Sequence, residues 1–185
     1  MARAFEERMA LVSPLTPTAI AAAGMLPPAL VLCGAVWADC RTRRIPNPWC
    51  VGGSLAALFT QALLPQGLHP LHPTQAGTPG VGSGLLALAA MLLITAVAWR
   101  ARWFGAGDAK LLSALAAYGA PSAVLPVLLL TAVCGGVMAL LWWLARVRSP
   151  LPYSLAIAAA QMVWAGSMAA QVPVLPPALL FTGNS

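Results

Sequence analysis

The chain has 185 residues, enough for one domain or two small ones. Hydrophobic residues make up 60% and charged residues 8%, against roughly 25% charged in an ordinary soluble domain. Such a chain cannot cover a soluble surface, and its composition excludes disorder and fibrous repeats. Ten basic residues against four acidic leave a net charge of +6. Scattered as they are between apolar runs, these cations form no nucleic-acid patch. They fit the cationic excess that membrane proteins keep on the cytoplasmic side. The expected fold class is therefore all-α: a polytopic membrane helical bundle of about six transmembrane helices, one domain over residues 1–185.

At the N-terminus Arg3 and Arg8 are offset by Glu6 and Glu7, and Pro14 and Pro17 interrupt the apolar run. This is not the pattern of a cleaved signal peptide. A span needs about 20 apolar residues. The first is expected over 19–38, free of charge, kinked at Pro27 and Pro28 and ending at Asp39. The second covers 49–65. A Gly/Pro/His/Thr-rich segment, 66–79, leads to the third span, 80–99, and then to a basic stretch from Arg100 to Gly107.

Between Ala109 and Ala145 the only charge is Lys110. One helix there would be roughly 55 Å long, against a hydrocarbon core of about 30 Å. Two spans, 108–119 and 121–145, turning at Gly119-Ala120-Pro121, are favoured. They place Arg100, Arg102, Arg146 and Arg148 on the same side as Arg41, Arg43 and Arg44. The last span covers 151–172. Six spans put both termini outside the cytoplasm. Trp37, Trp49, Trp99, Trp103, Trp142 and Trp143 all fall at the cytoplasmic ends, at headgroup level, and only Trp164 is mid-span.

Cys33, Cys40, Cys50 and Cys134 form no C-x-x-C pair, so they read as small hydrophobes rather than a zinc or redox site. Apart from Glu6 and Glu7, the acids are Asp39 and Asp108, each at the cytoplasmic end of a span. Ionised groups at such depths usually line a site or pathway. The plainer reading is local pairing, for example Asp39 with Arg43. Two carboxylates a few ångströms apart share a proton. One can act as general base on a water and the other as general acid toward a carbonyl oxygen or leaving amine. That is aspartic-peptidase chemistry, for which no metal or cofactor is expected. His69 and His72 lie on the far side, and no H-E-x-x-H or G-x-S-x-G motif occurs. Two glycines, Gly105 and Gly107, precede Asp108 and permit positive φ or close backbone approach. Lys110, two residues later, is near enough to favour a charged aspartate.

Asp39-Cys40-Arg41-Thr42-Arg43-Arg44-Ile45-Pro46-Asn47 resembles the first aspartate motif of the type IV prepilin peptidases, an Asp followed by a basic stretch and I-P-N. Gly105-Ala106-Gly107-Asp108-Ala109-Lys110 resembles their G-x-G-D-x-K motif, and Leu151-Pro152-Tyr153 the P-Y/F segment that opens their last span. The resemblance implies a membrane-embedded aspartic endopeptidase that removes the basic leader of a prepilin at the cytoplasmic face of the bacterial inner membrane. Asp39 and Asp108 would be its catalytic pair, with Ile45, Pro46, Asn47, Gly105, Gly107, Lys110, Pro152 and Tyr153 as supporting residues. Without the C-x-x-C domain of the longer, N-methylating members, the chain looks like the short form of tight-adherence (Flp-type) pilus systems. Ser154 stands where glycine often follows P-Y/F, a departure bearing on that corner's packing but not on the aspartates.

The expected partners are the prepilin helix and membrane lipid, with no nucleic acid. The arginines, which would repel a basic leader, are assigned to topology and lipid headgroups. Small residues of the second span, Gly52, Gly53, Ala56 and Ala57, serve helix packing or a groove for the pilin helix. Two alternatives stand beside this reading. One is a transporter or channel using the aspartates as a proton or cation site. The other is a non-catalytic pilus-assembly partner.

Overall fold

A computed structural model describes residues 17–63, 80–103, 105–147, 149 and 151–170. The expectations for Arg3, Glu6, Glu7, Arg8, the 66–79 segment with its histidines, and Arg148 lie outside these residues. The described residues form six α-helices: α1 (Pro17–Thr42), α2 (Asn47–Leu63), α3 (Val81–Arg100), α4 (Ala106–Ala116), α5 (Val124–Leu144) and α6 (Tyr153–Ala170). A 3₁₀ turn, Pro121–Ala123, introduces α5. Helix α1 continues unbroken through Pro27 and Pro28 and runs beyond residue 38 to Thr42, which puts Asp39 inside its last turn.

The helices are turned inside out relative to a soluble bundle. On α3 the buried residues are Gly84, Ala87, Met91, Thr95 and Ala98, while Leu86, Leu93 and Val97 are each about 60% exposed or more. On α5, Val133, Val137, Leu140 and Leu141 likewise point outward. Small residues inside let backbones approach closely, and large apolar ones outside suit a hydrocarbon surround rather than water. Two stretches, Val81–Arg100 and Pro121–Leu144, are long and apolar enough to cross a membrane by length and composition. Four buried hydroxyls find an acceptor within their own helices. Thr60, Thr95, Ser113 and Thr131 donate to Ala56, Met91, Ala109 and Val127 at 2.7–2.8 Å, which removes the cost of an unpaired hydroxyl in an apolar interior.

At the centre lies α4, 11 residues long and therefore only about 16 Å. Its residues Ala109 and Leu111–Ala116 are all buried. It packs against α3, α2 and α6, and α1 packs against α2 and α6. Of the small residues in α2, Gly53 and Ala57 are buried, with Gly53 facing Val31 and Ala114, whereas Gly52 meets nothing within 4 Å.

One end of the bundle holds the C-termini of α1, α3 and α5 and the N-termini of α2, α4 and α6. Each of the three helices ending there stops with an arginine in the left-handed region: Arg43 (φ 55°), Arg102 (φ 63°) and Arg146 (φ 51°). Arg102 and Trp103 donate to the carbonyls of Trp99 and Ala98, both at 2.9 Å. Arg146 and Val147 do the same to Trp143 and Trp142 at 3.0 and 3.2 Å. These are paired terminal bonds usually built on glycine. A cation at a helix C-terminus faces the negative end of the macrodipole, which offsets the cost of a non-glycine residue in this conformation.

Candidate active site

Asp39 is placed by the way α1 ends. Arg43 takes a positive φ and donates its N–H to the Asp39 carbonyl at 2.8 Å, closing the helix. The following Ile45, as the residue before Pro46, disfavours helical backbone and keeps it closed. The Asp39 side chain, 8% exposed, turns inward. Its Oδ2 accepts the Ser154 hydroxyl at 2.6 Å and the Ser154 N–H at 3.3 Å. Arg43 thus meets Asp39 through its backbone N–H, and the Asp39 carboxylate also bonds to the start of α6. Ser154, set aside from sequence as irrelevant to the aspartates, is in direct contact with one of them.

Asp108 sits in the first turn of α4, where Gly105 is the N-cap and an acid complements the macrodipole. Its carboxylate bonds back to the Gly105 backbone. A Cβ on Gly105 would lie 2.8 Å from Asp108 Oδ2. Gly105 has φ −70°, so glycine is needed there for space and not, as the sequence left open, for a positive φ. Gly107 follows the same logic, since its Cβ would stand 3.2 Å from Ile45 Cβ. The I-P-N segment therefore docks on the G-x-G-D turn. A second tie holds them together: Lys110 Nζ donates to Asn47 Oδ1 at 3.0 Å. Thr95 in α3, fully buried, lies 3.4 Å from both the Ala109 carbonyl and Ser113 Oγ, which seats the start of α4 on α3.

Asp39 and Asp108 line one open cavity of about 360 Å³, together with Arg43, Arg44, Ile45, Asn47, Gly105, Ala106, Gly107 and Lys110. The two carboxylates are near enough to repel each other. Arg43 and Arg44, assigned from sequence to headgroups, line the cavity itself. Pro46 is exposed beside it. Pro152 is buried, and its carbonyl accepts the Leu155 N–H at 3.1 Å, starting α6. Tyr153 lies against α5, where a Cβ on Gly135 would be 2.8 Å from its ring and hydroxyl, and that hydroxyl is within electrostatic reach of Asp108. The P-Y pair thus sets the seat of α6, and the residue after it reaches the acid. A second cavity, about 20 Å³ between Met91, Leu115, Val127 and Trp164, is lined by no titratable group.

A buried acid at the end of one helix and a second at the start of another share a solvent-open cavity with cations at its rim. Such an arrangement can hold a water and a polar backbone between two carboxylates. A family model, that of the type IV leader peptidase family, matches residues 26–140 and so includes both aspartates. Among curated proteins and among solved structures, none matches the chain.

Proposed function

The chain belongs to the type IV leader peptidase family and is a prepilin leader peptidase, a membrane protease; from that premise we propose that Asp39 and Asp108 are its catalytic pair, working at the cytoplasmic face on prepilins of the tight-adherence type. The observation that carries the assignment is the single cavity lined by both carboxylates. The mechanism is proton exchange between them. One carboxylate takes a proton from water as the water oxygen bonds to the scissile carbonyl carbon. The other, protonated, gives its proton to the carbonyl oxygen. The gem-diol then collapses: the C–N bond breaks, and the proton taken from water passes to the departing amine nitrogen. The second carboxylate recovers its proton from a gem-diol hydroxyl, leaving a carboxyl end on the leader and a new amino terminus on the pilin.

The six-span topology and its orientation rest on charge. Arg41, Arg43, Arg44, Arg100, Arg102 and Arg146 all belong to the end of the bundle that holds Asp39 and Asp108, and cationic ends stay in the cytoplasm. A prepilin, basic leader first and apolar helix after, inserts with its leader on that same side, so its cleavage site comes to the depth of the cavity. The short form of the enzyme is supported by the link between α1 and α2, residues 43–46 alone, and by the lack of any C-x-x-C pair. The test is co-expression with candidate prepilins, read as a mobility shift on cleavage. Asp39→Asn and Asp108→Asn should each abolish the shift at normal abundance in the membrane, and the double variant should be no worse than either. Asparagine keeps the shape but cannot accept the proton. An Asn variant that cleaves near the wild-type rate removes that residue from the mechanism.

A further inference from the structure

We propose that Ser154 is a positioning residue for this reaction: its hydroxyl and backbone N–H hold Oδ2 of Asp39 so that the carboxylate turns its other oxygen, Oδ1, to the cavity it shares with Asp108. The proposal rests on reading Asp39 as one of the catalytic pair.

The first N–H groups of a helix have no acceptor inside it. Ser154 is the second residue of α6, so its amide needs a partner from elsewhere in the fold. That partner is Asp39 Oδ2, 115 residues away in sequence, and the hydroxyl converges on the same atom. The hydroxyl bond, at 2.6 Å, is at the short end of the O–H···O range. Ser154 is fully buried, where a hydroxyl without an acceptor would be costly. The contact thus satisfies both partners.

The electrostatic setting points the same way. Asp39 lies in the last turn of α1, the end of a helix that disfavours an anion, while α6 presents it with the favourable end of its own dipole. Free rotation about the Asp39 side chain would leave either oxygen facing Asp108. Two donors on Oδ2 remove that freedom before substrate arrives, which is how a fixed polar environment lowers a barrier. A staple that merely joined α1 to α6 would instead affect stability and leave turnover per folded enzyme unchanged.

The experiment uses the full-length enzyme in detergent micelles with purified prepilin, comparing Ser154→Ala, Ser154→Thr and Asp39→Asn per correctly folded enzyme. Ser154→Ala keeps the N–H and loses the hydroxyl. Its kcat should fall about tenfold, with KM within about twofold of wild type. Ser154→Thr, which carries a hydroxyl on the same atom, should recover most of the loss. Should the threonine methyl prevent folding, the kcat-against-KM split in Ser154→Ala decides alone. An unchanged kcat in Ser154→Ala overturns the proposal, as does a change confined to KM or an equal loss in a well-folded Ser154→Thr. Asp39→Asn separates the two ideas. If it is inactive while Ser154→Ala turns over normally, the pair stands and the positioning role falls. If it is active, the assignment of Asp39 itself falls.

Discussion

Lys110, two residues beyond Asp108, donates its ammonium to the side-chain carbonyl of Asn47, at the start of α2, over 3.0 Å. The bond joins the two aspartate-bearing segments at the rim of the cavity, so the lysine holds the site's geometry as well as contributing charge.

Asn47→Ala should therefore lower cleavage severalfold. The bond is exposed, which puts it near the weak end of the roughly 0.5–1.5 kcal/mol range for a single hydrogen bond. Initial rates of prepilin cleavage, normalised to enzyme in the membrane, measure it. Wild-type rates in Asn47→Ala would show that Ile45 and Gly107 suffice to hold the two segments in register.

Gly107→Ala should cost more, about tenfold in rate, because its new methyl would meet Ile45 Cβ at 3.2 Å and displace the turn that carries Asp108. The decisive measurement is the double variant. Gly107→Ala combined with Ile45→Ala opens the space again and should recover part of the loss, a positive coupling between two contacting sites. Purely additive losses would mean that Gly107 matters for some other reason.

Gly34→Ala tests the packing of α1 on α2. A Cβ at Gly34 would run into the indole ring of Trp49, so the bulky ring or α1 itself has to shift. Overpacking of this kind costs about 1–3 kcal/mol. The thermal unfolding midpoint of the purified protein in detergent should drop, while Gly52→Ala, at a site with nothing within 4 Å, should leave it unchanged.

Single cysteines in a cysteine-free background test the orientation. A cysteine at Ser122, exposed in the 3₁₀ turn at the end of the bundle away from the aspartates, should react with an impermeant maleimide added outside the cell. Cysteines at Arg43 and Arg102 should react only after the membrane is permeabilised. The reverse pattern would invert the topology and move the active site out of the cytoplasm.

The helices were legible in the sequence because apolar runs, and the charges that interrupt them, report directly on where a chain is helical and apolar. The two aspartates stood out for a related reason: a carboxylate beside an apolar run is expensive enough to be rare. What the sequence placed imperfectly depends on backbone detail at helix ends. Helix α1 continues past Asp39 because it is the positive φ at Arg43, not the first charge, that stops it. Local pattern left the reason for the glycines open between positive φ and close approach, and could not name the neighbour, since the space at Gly107 is claimed by Ile45, far back in the chain.

Ser154 marks the boundary most clearly. Nothing around Leu151-Pro152-Tyr153-Ser154 says that its hydroxyl meets an acid at residue 39, because hydrogen bonds between distant segments are made only when helices pack. Composition and motif decided that this chain is a helical membrane protein with two acids in play. Only the packing of α6 beside α1, and of the I-P-N segment on the G-x-G-D turn, decided which groups touch those acids. Short-range patterns record the preferences of the backbone and of lipid for each segment, whereas an active site is made of directional contacts, whose partners are chosen by the fold.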